Sequence, residues 1–128
     1  MLKRLLVLLA SLLPLSATAA PKGFPEKFEL MSLGITLTWG CEGSSCAYEG
    51  TYHKGDWFYT LSFQIRDKGE HRLWITGEDP WGNTVSFRYL AKGDSKDGFS
   101  LFEDDIGYPF SDILDPFSNY DFLEPLKP

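Results

Sequence analysis

The stretch that decides the fold is Trp57-Phe58-Tyr59-Thr60-Leu61-Ser62-Phe63-Gln64-Ile65. One alternate set of positions is apolar, and most of the positions between them are polar. Successive side chains of a β-strand point to opposite faces, so a period of two predicts a strand with one face buried and the other in solvent. The apolar set is Trp57, Tyr59, Leu61, Phe63 and Ile65.

The same period recurs on both sides of this stretch. Segments that are rich in Gly, Asp and Asn separate the alternating runs and favour tight turns. We therefore predict an all-β domain over residues 35–103, mainly an antiparallel meander of six or seven strands. Such a sheet must close or cover its edges, which leaves a small barrel, a sandwich or a curved sheet. The alternating runs are 35–39, 48–52, 57–65, 72–76, 85–89 and 99–102.

Two flanking segments differ from this domain. Residues 20–34 are predicted to form an N-terminal arm, in which 26–33 could be a short helix or an extended segment. Residues 104–128 are acidic and aromatic, and the prolines at 109, 116, 125 and 128 oppose a long helix and central strand pairing. We predict an irregular tail packed on the domain, with one helical turn over 111–114. The alternative is a partly free segment that orders on a partner.

The first residues have the three parts of a secretory signal peptide. Lys3 and Arg4 precede an apolar run over 5–15, and small residues fill 16–20. The apolar run is shorter than the roughly 18 residues that span a bilayer. We predict cleavage after Ala19, or after Ala20, giving residues 1–19 or 1–20 as the leader. The mature protein is then secreted or periplasmic, without membrane insertion.

Charge narrows the choice of partner. The whole chain has 12 Lys and Arg against 18 Asp and Glu, a formal net charge of −6. Loss of Lys3 and Arg4 with the leader leaves all 18 acids and makes the mature charge −8. Such a surface repels phosphate backbones, so we expect no nucleic-acid partner and favour a cationic protein, with a glycan as the other possibility. The alternative is that the acids only keep the protein soluble.

Cys41 and Cys46 enclose four residues. In an oxidising compartment a pair at this spacing predicts one disulfide that clips a local loop. The alternatives are a redox-active pair, which usually has two intervening residues, and a metal site, for which two thiolates supply half of the ligands of a tetrahedral zinc. We expect a structural disulfide, no metal site and no cofactor.

No catalytic constellation is evident. There is no G-x-S-x-G motif, and His53 and His71 fall at turn and strand positions where surface histidines are common. Glycoside hydrolysis uses a pair of carboxylates, and several acids could supply such a pair, but the sequence gives no reason to prefer one pair. These acids are Glu49, Glu78, Asp79 and Glu103.

Exposed aromatic residues beside acids are the better candidates for a site. Trp81 lies in a Pro-Trp-Gly turn, and Trp74 falls on the face opposite Leu73 and Ile75. Aromatic rings with a polar handle are common anchors at interfaces. The predicted binding residues are Trp74, Trp81, Asp104, Asp105 and Tyr108.

These features favour an exported, acidic, non-catalytic binding protein, an inhibitor of or partner for a cationic protein. Two alternatives stay open. One is a glycan-acting hydrolase with paired carboxylates, and the other is a structural or assembly component of the cell envelope.

Overall fold

The computed structural model describes residues 19–66, 70–103 and 121–127, and these form eight strands. The strands follow one another along the chain without an intervening helix in the described part. Their bounds are β1 Lys27–Leu30, β2 Ile35–Glu42, β3 Ser45–Lys54, β4 Trp57–Gln64, β5 His71–Glu78, β6 Thr84–Asp94, β7 Gly98–Glu103 and β8 Phe122–Leu126.

The sheet is a closed barrel. Each strand pairs antiparallel with the next, and β8 pairs antiparallel with β1 to complete the circle. Closure removes the unpaired edges that an open sheet would expose. The prediction of an all-β antiparallel meander is therefore confirmed, and of the three architectures considered the barrel is the one that forms.

Side chains fill the interior. Phe28 is fully buried there, with its ring centroid 4.8 Å from that of Tyr48 and 5.5 Å from that of Phe63, both in edge-to-face contact. An eight-stranded barrel is just wide enough to be filled by its own side chains, and this composition fills it with rings. The buried cluster consists of Phe28, Leu30, Leu37, Tyr48, Tyr59, Leu61, Phe63, Leu73, Ile75, Phe87, Tyr89, Ala91, Phe99, Leu101 and Leu123.

The predicted arm contributes a strand. β1 lies within it, and Phe28 and Leu30 are fully buried, so the helical alternative for this segment is wrong. The strand is only four residues long, but it pairs with β2 on one side and with β8 on the other. Two ladders stabilise an extended conformation that four residues would not hold alone.

The predicted tail also contributes a strand. β8 includes Pro125, which we expected to oppose pairing, yet Pro125 lies opposite Phe28 in the register with β1. On its other side the ladder with β7 ends at Leu123, two residues earlier. Proline is therefore tolerated because only one neighbour remains at that position. The predicted helical turn over 111–114 lies outside the described residues, as do residues 1–18 of the predicted leader.

The remaining local predictions are confirmed at the hairpins. Cys41 and Cys46 are disulfide-bonded across the β2–β3 hairpin, where they are register partners. β4 pairs with β5 along its length. The β3–β4 and β5–β6 turns lie at one end of the barrel, which we call the Trp81 end. We call the opposite end, where Phe24 stacks on Phe99 at 6.4 Å, the Phe24 end.

Across 19–66, 70–103 and 121–127, no helix has the length and apolar character needed to cross a membrane.

Candidate functional site

The most exposed large apolar side chain in the described part of the chain is Trp81, at 71%. It lies in the β5–β6 connection over residues 79–83, which we call the Trp81 loop. Glu78 and Thr84, the residues on either side, are register partners that close the loop. The indole is therefore held out at the end of a paired ladder, with most of its surface in water.

Asp79 fixes the conformation of this loop. Its Oδ1 accepts hydrogen bonds from the backbone N–H groups of Trp81 at 3.0 Å and Asn83 at 2.9 Å, and its Oδ2 accepts one from Asn83 Nδ2 at 2.8 Å. Gly82 has φ +89°, a conformation that side chains rarely adopt. Two backbone hydrogen bonds complete the turn. The Asp79 N–H donates to the Asn83 carbonyl, and the Gly82 N–H donates to the Asp79 carbonyl.

These hydrogen bonds also change the pKa of the Asp79 carboxyl group. Partial desolvation raises the pKa of Asp79, but the hydrogen bonds from the Asn83 side chain, the Asn83 backbone and the Trp81 backbone outweigh it. The net effect is a pKa below the usual value. The carboxylate therefore stays ionised and keeps its hydrogen bonds at neutral pH.

A groove lies beside the loop on the outer face of β4, β5 and β6. It encloses about 730 Å³, within the range of roughly 300–1,000 Å³ that small-ligand sites occupy. We call it the β4–β6 groove. The residues that line it are Phe58, Thr60, Thr76, Gly77, Glu78, Thr84, Val85, Ser86 and Phe87.

A phenylalanine and a glutamate lie opposite one another in the strands that line this groove. Phe58 and Glu78 are register partners on β4 and β5. Phe58 is 38% exposed, and the ring of His53 packs edge-on against it with centroids 4.8 Å apart. The pairing of Phe58 with Glu78 could not be derived from spacing, because the two residues are 20 positions apart and only the strand register brings them together.

Trp74 occupies a different position from Trp81. It faces outward from β5 as predicted, but it is half-buried, and the Arg88 guanidinium lies 5.1 Å from its ring centroid. Its indole Nε1 is buried without a hydrogen-bond partner. Neither Trp74 nor Trp81 lines the β4–β6 groove, so this groove does not bring the two predicted anchors together. The other predicted binding residues, Asp104, Asp105 and Tyr108, lie outside the described residues.

Of the acids considered for paired catalysis, three fall in two separate places. Glu78 lines the β4–β6 groove and Asp79 is engaged in the adjoining loop. Glu49 lines a second outer concavity of about 520 Å³, together with Glu42 and Arg66, beside the disulfide. In the described part of the chain, no group of three or more His, Cys, Asp or Glu residues is placed to hold a metal ion.

His71 has a structural environment that the sequence did not reveal. Its ring makes edge-on contacts with Phe24, Phe63 and Phe99, with centroids 5.3 to 6.3 Å apart, at the Phe24 end of the barrel. Its Nδ1 accepts a hydrogen bond from the Arg66 backbone N–H at 3.0 Å. Burial lowers the pKa of this imidazole, because the charged form loses solvent.

The described residues form a closed eight-stranded antiparallel barrel with a filled interior, and the exposed Trp81 and the β4–β6 groove lie on its outside. Comparison of the chain with protein-family models, with curated proteins and with solved structures finds no match.

Proposed function

We propose that this chain is an exported, non-catalytic binding protein that uses the Trp81 loop to hold a cationic protein partner. The observation that carries the proposal is the 71% exposure of Trp81 on a loop that Asp79 fixes with three hydrogen bonds. Tryptophan is among the residues that dominate interface energies. A fixed loop loses little conformational freedom on binding, so more of the contact energy contributes to affinity.

Charge supports the choice of partner. The chain carries a net charge of −6, and the sequence between Glu103 and Asp121 contains four aspartates and no basic residue. β7 ends and β8 begins at the same end of the barrel as the Trp81 loop, because the meander alternates direction at every strand. The most acidic stretch of sequence is thus attached at the end that presents the exposed tryptophan. A positively charged partner is attracted to an acidic protein.

The filled interior favours recognition on the outer surface. The 15 buried residues of the core cluster pack the barrel from end to end, and the concavities described here lie on its outer faces. The two alternatives, a glycan-acting hydrolase and an envelope component, stay predictions, because no specific observation favours either of them.

The test is affinity capture with the secreted form as bait, using proteins from the same compartment at a salt concentration of about 0.05 M and again at about 0.5 M, where exposed charges are screened. Trp81→Ala is the test variant. Phe102→Ala is the matched control, because Phe102 is an exposed aromatic residue on the outer face of β7.

We expect wild type and Phe102→Ala to capture a basic protein that high salt releases, and Trp81→Ala to lose it. The captured protein is then identified, purified and shown to rebind. No captured basic protein at low salt, or equal capture by Trp81→Ala, would refute the proposal.

A further inference from the structure

The residues that line the β4–β6 groove indicate which chemical group of the partner it would bind. Of its nine described lining residues, Glu78 is the only charged one, and none is basic. Four of the others carry hydroxyl groups, namely Thr60, Thr76, Thr84 and Ser86. A groove with this lining favours a cationic, hydrogen-bond-donating group over an anion.

The geometry favours a planar cation. Phe58 and Glu78 are directly opposite one another on antiparallel strands, a relationship that places Cβ atoms about 4.5–5.5 Å apart. The edge-on contact with His53 holds the Phe58 ring in place while 38% of the residue stays exposed. A ring and a carboxylate carried on Cβ atoms this close can bind two parts of one small group at the same time.

A guanidinium fits this pair better than an ammonium. Its plane stacks on an aromatic ring, and its N–H fork donates two parallel hydrogen bonds to a carboxylate. The remaining N–H groups can donate to the hydroxyls that line the groove. The same face of the barrel already contains one such contact, because Arg88 lies over Trp74 one register row beyond Thr76 and Ser86.

The groove and the Trp81 loop form a continuous surface. Glu78 and Thr84 both line the groove and both border the loop, so a protein that packs on Trp81 also reaches the groove. At about 730 Å³ the groove is larger than one side chain requires and leaves room for flanking residues of the partner.

We infer that the β4–β6 groove binds an arginine side chain of the cationic partner, with the guanidinium between the Phe58 ring and the Glu78 carboxylate. This inference rests on the proposed function for the identity of the partner. Whether the groove binds a guanidinium, in contrast, can be tested without the partner.

The experiment titrates the ¹⁵N-labelled secreted form with Nα-acetyl-arginine methylamide and follows backbone amide shifts. The matched ligand is the citrulline derivative, which replaces the guanidinium by a neutral urea of nearly the same shape. The test variant is Glu78→Gln. Glu49→Gln is the control, since it removes one outward carboxylate from a different concavity.

We expect saturable shifts at Gly77, Glu78, Thr84 and Ser86, with millimolar affinity. The citrulline derivative and Glu78→Gln should each weaken binding about tenfold, as loss of a charge-assisted pair does, and Glu49→Gln should bind like wild type. Equal binding of the citrulline derivative, equal binding by Glu78→Gln, or shifts confined to another surface would overturn the inference.

The two proposals fail separately. If the arginine probe binds the groove but Trp81→Ala captures the basic protein normally, the proposed function fails and the groove assignment stands. If the captured partner depends on Trp81 but the arginine probe does not perturb the groove, the groove assignment fails alone.

Discussion

Asp121 and Ser32 are 89 positions apart in the sequence and are joined by two hydrogen bonds. The Ser32 backbone N–H donates to Asp121 Oδ1 at 3.0 Å, and the Ser32 hydroxyl donates to Oδ2. Asp121 Oδ1 also accepts the Phe122 backbone N–H at 2.9 Å, and only 4% of the residue is exposed. These bonds attach the residue before β8 to the turn between β1 and β2, where the two terminal strands close the barrel.

Replacing Asp121 by alanine should therefore weaken closure. The change removes a buried carboxylate that accepts three hydrogen bonds, so we expect a loss of about 1.5–3 kcal/mol in the free energy of unfolding, measured by urea denaturation. Glu124→Ala, an exposed acid on β8, is the control and should change stability by less than about 0.5 kcal/mol. Equal stability of the two variants would show that the Asp121–Ser32 bonds do not hold the barrel closed.

Gly77 makes room for a core tyrosine. A Cβ at this position would lie 2.7 Å from two ring carbons of Tyr59 and 3.1 Å from Val85 Cγ2. We expect Gly77→Ala to destabilise the protein by about 1–3 kcal/mol in thermal unfolding, the usual effect of overpacking. Gly40→Ala is the matched control on β2, because a Cβ there meets nothing within 4 Å. If the two variants had the same melting temperature, the packing of Tyr59 against β5 would be wrong.

Because of His71, the free energy of unfolding should depend on pH near neutrality. Above its ordinary pKa of 6.5 the imidazole is neutral in both the folded and the unfolded chain and contributes no pH dependence. Below 6.5 the unfolded chain binds a proton that the folded chain, with its lowered pKa, binds only at lower pH. Stability attributable to His71 is therefore lost as the pH falls from about 6.5.

The variant His71→Phe keeps a ring among Phe24, Phe63 and Phe99 and removes the titration. Between pH 7 and pH 5 the melting temperature of wild type should fall more than that of His71→Phe. Parallel profiles for wild type and His71→Phe would mean that His71 is not desolvated in the folded protein.

Asp79 should control the order of the Trp81 loop. In Asp79→Ala the backbone N–H groups of Trp81 and Asn83 lose their acceptor. We expect hydrogen exchange to accelerate at these two amides and to stay unchanged at Gly77 and Phe87, which lie on the flanking strands. The matched control is Asp94→Ala, which removes the same type of contact from the β6–β7 turn, where Asp94 accepts the Lys96 and Asp97 amides. Unchanged exchange at Trp81 would contradict the description of a fixed loop.

The fold could be predicted from sequence as far as local periodicity extends. The alternation from Trp57 to Ile65 and the turn residues between runs were sufficient for the central hairpins. β1 was missed because four residues carry too short a pattern, and β8 because Pro125 counts against a strand until its single neighbour is known. Barrel closure depends on pairing between the two ends of the described chain, which local patterns do not encode.

The candidate site was predictable to a similar extent. The Pro-Trp-Gly turn indicated exposure of Trp81, and the period of two placed Trp74 on the outer face. The pairing of Phe58 with Glu78 depends on the β4–β5 register, so it could not be derived from spacing. The contact between Trp74 and Arg88 is likewise a consequence of the β5–β6 register.

The most direct test of the central claim is the affinity of the purified cationic partner for Trp81→Ala compared with wild type, by isothermal titration calorimetry at low salt. We predict that Trp81→Ala binds at least about 30-fold more weakly, the size of an interface hot spot, while its melting temperature stays within about 2 °C of wild type because the side chain packs on little. Wild-type affinity in a folded Trp81→Ala variant would contradict it.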